Sequence, residues 1–175
     1  MERKVIGMPQ MTKYQVFISS TYKDLISARE SLIMSLLSSK YIPCGMEIFS
    51  SSSDSQFEYI KRMLNLCDYY VLILAGRYGE IGSHGLSYTE MEYNYAVDNG
   101  IPILAFLHKH PENIPIKFSE KDSKMREKLE KFRKRVKNER LYKEWELPEE
   151  LSTMVISSLF EEQEIHPRPG WVRSV

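Results

Sequence analysis

Residues 68–75, Asp-Tyr-Tyr-Val-Leu-Ile-Leu-Ala, are apolar almost without interruption. A strand with one wet face alternates in polarity, so this run needs cover on both faces, as an interior strand of a parallel sheet has. Parallel neighbours require crossover connections, and helix-period segments flank the run on both sides. Residues 14–19, Tyr-Gln-Val-Phe-Ile-Ser, are aromatic and β-branched and read as a first strand. Residues 24–39 place Leu25, Ala28, Leu32 and Leu36 at helical intervals, with Ile33 and Leu37 widening the stripe. Residues 41–49 suggest a second strand, and Pro43 gives it an edge position before the serine-rich loop 50–55. Residues 56–66 carry Phe57, Ile60 and Leu64 on one helical face, and a helix over 88–99, stopped by Gly100, precedes a strand over 103–107.

The order βαβαβαβ predicts an α/β, flavodoxin-like, doubly wound parallel sheet of about five strands in the order 2-1-3-4-5, with helices on both faces. Farther on, residues 119–140 hold ten basic and five acidic side chains around a narrow stripe of Met125, Leu129, Phe132 and Val136. Interleaved signs and pairs such as Glu127 with Lys131 mark a solvated amphipathic helix rather than a nucleic-acid surface. Residues 141–145 fit a last edge strand, and Pro148-Glu149-Glu150 opens a final helix through residue 162 that turns Leu151, Val155 and Leu159 to the core. Residues 1–12, aperiodic and mixed, read as a flexible leader; residues 13–175 read as one domain, closed by a turn-rich tail in which Trp171 tucks against the body.

Composition narrows the function classes. Lys+Arg and Asp+Glu balance at 24 each, so no global field draws the chain to nucleic acid or an acidic membrane. No apolar run reaches membrane-spanning length. Cys44 and Cys67 show no metal-finger or CxxC spacing and read as buried thiols of a cytoplasmic protein. His84, His108, His110 and His166 have no nucleophile partner in sequence, and His108 with His110 lacks a third ligand, so no metal site is expected. Neither a Walker A sequence nor GxGxxG is present.

An open α/β sheet binds ligands where strand order reverses, here between strands one and three. Ser19, Ser20, Thr21 and Tyr22 follow strand one, with hydroxyls and amides suited to phosphate or ribose oxygens; a simple Ser/Thr helix cap would use the same residues. Gly76-Arg77-Tyr78-Gly79-Glu80 follows strand three, offering the Arg77 guanidinium to a diphosphate and the Tyr78 ring to a base. A plain solvent loop is the alternative. Gly82, Ser83 and Gly85 suggest that this loop moves. Next come Ser87, Tyr88 and two carboxylates. Ser87 and Glu90 have capping-box spacing, which gives Glu90 a structural task, whereas Glu92 shares a face with Tyr88, Thr89 and Ala96, and the alanine leaves room for a ligand.

The segment YQVFISSTYKD resembles the opening strand and loop of TIR domains, close to D-x-F-I-S-Y-x-x-x-D. Glu92, Ala96 and Gly100 keep the spacing of the TIR catalytic glutamate, the small residue four positions on and a glycine four beyond. More specifically, FISSTYKDL, AGRYGE, SYTEMEYNYA and PRPGWVR resemble a bacterial TIR-like family catalogued as domain of unknown function 4062. The resemblance implies a Glu92-dependent NAD glycohydrolase or cyclase in antiphage defence, with NAD as substrate, no cofactor, and activity tied to homo-oligomers or partner-triggered assembly. The FISST loop and the AGRYGE segment depart from typical TIR sequences, so substrate contacts do not transfer. A nucleoside deoxyribosyltransferase-like enzyme and a non-catalytic TIR-type scaffold remain the alternatives.

Overall fold

The structure is a computed structural model that describes residues 11–45 and 55–173. Its sheet has five parallel strands in the order β2-β1-β3-β4-β5, as the apolar periodicities predict. In chain order the elements are β1 (Gln15–Ser20), α1 (Ile26–Ser38), β2 (Ile42–Gly45), α2 (Gln56–Leu66), β3 (Tyr69–Leu74), α3 (Tyr88–Asp98), β4 (Ile103–His108), α4 (Ser123–Glu139), β5 (Tyr142–Trp145) and α5 (Pro148–Ile165). β1 pairs with β3 at Phe17–Tyr70 and Ser19–Leu72, and β3 with β4 at Val71–Leu104. Pro43 lies in the edge strand β2 opposite Val16, where a missing N–H costs least. The predicted remainder of that strand and residues 50–54 of the serine-rich loop lie outside the described residues, as do residues 1–10 of the predicted leader.

Alternation along the strands divides the core in two. Val16, Ile18, Tyr69, Val71 and Ile73 pack against Leu32 and Leu36 of α1 and Leu151, Val155 and Leu159 of α5. Phe17, Tyr70, Leu72 and Leu74 face α2, α3 and α4, where Ile60, Leu64, Tyr93, Ala96, Leu129 and Phe132 cover them. Two readings on the first face change: Ile33 is half-buried and Leu37 is 51% exposed, because a helix on an outer face of the sheet buries only one stripe. α4 begins at Ser123 rather than residue 119, since Ile116–Phe118 forms a separate turn and Asp122 caps α4 by accepting the Met125 N–H at 2.9 Å. The Glu127–Lys131 pair forms at 2.6 Å on the exposed face.

The tail is tied down by backbone rather than by its ring. Lys13 and Trp171 exchange N–H···O bonds of 2.9 and 2.7 Å, and the Gly170 N–H donates to Asp68 at 3.1 Å. Gly170 has φ +64, and a Cβ there would lie 2.4 Å from Thr12. The tail thus lies against the body as expected, but the Trp171 ring is only about half covered, 47% exposed. Cys44 and Cys67 are both buried. Among the described residues, no helix is long and apolar enough to cross a membrane.

Candidate functional site

Strand alternation sends the consecutive serines at the end of β1 to opposite faces. Ser19 follows Phe17 toward α3, while Ser20 follows Ile18 toward α1. Beyond them, at the switch point, opens a cavity of about 660 Å³, within the usual range for a small-molecule site. Of the residues expected there, Ser20, Thr21, Tyr22, Arg77, Tyr88 and Glu92 line it. The β1–α1 hydroxyls do not cap α1, whose first turn has no side-chain cap.

Glu92 lies in the wall of the cavity, buried, with its carboxylate oxygen accepting the Ser19 hydroxyl. Burial raises its carboxyl from the ordinary 4.5 to about 7, against the Ser19 hydrogen bond and the positive charge of Arg29. A carboxyl in this range exchanges a proton near neutrality, as a general base or acid must. Beneath it the Tyr70 phenol is fully buried; burial, then the Glu92 charge, keeps it protonated well above the ordinary range. Ala96, expected beside a ligand, packs instead in the apolar layer under the sheet, one turn deeper along α3.

The β3–α3 loop, whose glycines suggest mobility, is held in this arrangement by three bonds. The Gly82 N–H bonds Leu86 O at 2.8 Å, the Tyr88 N–H bonds Glu80 O at 3.0 Å, and Lys128 Nζ reaches Gly85 O at 2.5 Å from α4. Gly79 adopts φ +99, and a Cβ there would stand 3.0 Å from Thr21 Cγ2, so this glycine lets the two site loops approach.

Tyr78 turns away from the cavity. It is a core side chain whose hydroxyl donates to Glu90 at 2.5 Å, and burial, aided by that bond, pushes its phenol up to about 12. It therefore offers no face to a base. The predicted capping box is half formed. The Ser87 hydroxyl accepts the Glu90 N–H at 3.2 Å, but the Glu90 carboxylate, rather than reaching back, takes Tyr78 and the Arg135 guanidinium at 3.2 Å.

Three residues of the site are not marked as such by the sequence, although Asp24 ends the YQVFISSTYKD segment. Arg29 of α1 is 1% exposed and donates to Ser20 Oγ at 2.6 Å. Its place three before Leu32 and four after Leu25 puts it inside the apolar stripe, and that was the available signal. Tyr70 could be read only as core. Asp24 lines the cavity, yet among the described residues no donor meets either carboxylate oxygen at hydrogen-bond geometry; burial raises its carboxyl, with Thr21 and Arg77 opposing. His108 stacks edge-on to Trp145 at 4.8 Å, and its Nδ1 accepts the His110 N–H at 3.2 Å. Among the described residues, no group of three or more His, Cys, Asp or Glu side chains is placed to hold a metal.

Residues 15–159 match the family described as Domain of unknown function (DUF4062). The chain belongs to that family. Among solved structures, this DUF4062 chain is similar to the CMP N-glycosidase BcmB of Clostridium botulinum, with a TM-score of 0.50 and 15% identity over 82% of this chain and 98% of that one. At that identity the likeness establishes a shared fold. No curated protein matches the chain.

Proposed function

We propose that this DUF4062 protein is a nucleotide N-glycosidase that breaks the nicotinamide–ribose bond of NAD, giving ADP-ribose or a cyclised isomer, as an effector of bacterial antiphage defence. One observation carries the reading: a carboxyl, that of Glu92, lies buried in the wall of the switch-point cavity, held by the Ser19 hydroxyl, where burial pushes it up to about 7. When the bond between ribose C1′ and nitrogen breaks, its electron pair leaves with nicotinamide and C1′ becomes an oxocarbenium centre. Ionised Glu92 stabilises that charge in a site where burial strengthens the interaction. Water then adds its hydroxyl to C1′ and gives up a proton, which Glu92 can accept.

Glu92, with Glu80 and Glu120 near it in the cavity, gives an acidic surrounding that suits a cationic pyridinium, and Arg77 and Lys23 are the cations available to the diphosphate. Cleavage of a pyrimidine nucleotide is the second reading, supported by the fold shared with the CMP N-glycosidase. Incubation with NAD, CMP and deoxynucleosides, followed by chromatography of the products, tests both, together with base exchange. The expected result is nicotinamide release, lowered on the order of 100-fold or more in Glu92→Gln. Undiminished turnover in that variant overturns the catalytic role. A wild type inert toward every nucleotide, in assembled and triggered states alike, points to an interaction domain.

A further inference from the structure

Two helices on opposite faces of the sheet grip the same strand end. From α3, Glu92 takes the hydroxyl of Ser19. From α1, Arg29 donates to Ser20 Oγ at 2.6 Å and reaches Ile18 O with both terminal nitrogens at 3.4 Å. Ser20 passes the contact on, donating to Thr21 O at 2.7 Å. Arg29 is thus bonded to the residues on both sides of Ser19, the residue that holds the carboxyl. Burying a guanidinium is costly, and Ala28, Leu32 and Leu36 already supply the apolar packing of this helix face.

We propose that Arg29 is a positioning residue for Glu92, fixing through Ile18, Ser20 and Thr21 the end of β1 from which Ser19 holds that carboxyl. The inference rests on Glu92 being the working group of the site. Charge acts in the same direction, since the guanidinium favours the ionised form of Glu92 against its burial. On the sheet side, Arg29 from α1 acts on the Glu92 carboxyl, and the Glu92 charge in turn raises the Tyr70 phenol of β3. Across the cavity, Lys23 and Asp24 stand on the β1–α1 loop, Arg77 and Glu80 on the β3–α3 loop, and Glu120 before α4.

The test follows the Glu92 carboxyl itself by ¹³C NMR titration, assigned by its loss in Glu92→Gln, alongside the pH profile of base release. Arg29→Met is expected to move the Glu92 midpoint to higher pH, and Arg29→Lys, which keeps the charge, to return it toward wild type. Ser20→Ala severs the bonded link but retains the buried charge. It should lower kcat by roughly 10- to 100-fold at constant KM, the signature of misplacement rather than of a lost substrate contact, and raise the midpoint less than Arg29→Met does, since only the Ser19 bond is loosened. A folded Arg29→Met with an unmoved midpoint overturns the proposal; should Arg29→Met not fold, a Ser20→Ala variant with full kcat overturns it. Loss of base release in the wild type, with the midpoint still moving in Arg29→Met, would refute the glycosidase reading and leave the positioning role standing.

Discussion

Glu92→Gln should stabilise the protein while disabling it. The native state holds this carboxyl at about 7 instead of 4.5. Between those values the unfolded chain has released its proton and the folded one has not, so the unfolded state binds fewer protons and stability falls as pH rises. Each pH unit of displacement is worth about 1.4 kcal/mol, and the full displacement therefore costs on the order of 3 kcal/mol once pH exceeds about 7. Glutamine keeps the shape, can accept the Ser19 hydroxyl and carries no charge to desolvate. The variant should match wild type near pH 4 and gain steadily to about 3 kcal/mol at pH 8, or roughly 6–12 °C in Tm for a domain of this size. Paired urea titrations from pH 4 to 8 measure the difference directly. A Glu92→Gln protein that is no more stable than wild type at pH 8, or whose advantage does not grow with pH, would refute the assignment of a buried, strained carboxyl.

Other outcomes follow from the same geometry. Base release should climb as pH passes upward through about 7 and level off above it, because the ionised form of Glu92 is the one that stabilises positive charge; a rate flat from pH 5 to 9 contradicts this. Glu90→Ala should cost about 1–3 kcal/mol by chemical denaturation, since it strands the buried Tyr78 hydroxyl, while Arg135 keeps its bond to Asn94. Nucleotide binding in that variant should persist, because Glu90 points away from the cavity. Arg77→Ala should weaken NAD or ADP-ribose binding by about 1.5–3 kcal/mol in calorimetry, with stability little changed. Gly79→Ala should lose about 1–3 kcal/mol, from its positive φ and from the contact a Cβ would make with Thr21.

The fold was legible because the interior strands and the core-facing stripes of the helices carry their periods. The run over residues 68–75 could be satisfied only between two layers, and β3 is buried at every position. The stripes of α1, α4 and α5 name their own core residues. The switch point followed from topology, and with it the placing of Thr21, Arg77 and Glu92 at the cavity, whereas Ser19, expected to meet a ligand, lies behind the wall with its hydroxyl on Glu92. Side-chain direction within loops was not legible, since a loop has no period to assign an inside and an outside. Tyr78 accordingly went to the core. The second task of Glu90 depends on Arg135, which reaches it from another helix, and a capping-box spacing says nothing about that partner.

Two consecutive buried hydroxyls break the apolar rule of this sheet at the end of β1. β3 and β1 are neighbouring strands of equal length, both buried throughout, yet β3 ends in Ile73-Leu74 and β1 in Ser19-Ser20. Two hydroxyls in such a place need partners, because an unpaired buried hydroxyl is penalised. Each serine has found a charged one, on opposite faces of the sheet. Apolar residues at these positions would pack the strand end at lower cost, as they do in β3. A charge buried on each side of one strand end, each requiring the other's serine neighbour to stay in place, makes packing alone a poor account of the pattern. Local departures of this kind concentrate where a fold does chemistry. The corner that holds Arg29, Ser19, Ser20 and Glu92 is also the corner that opens into the cavity.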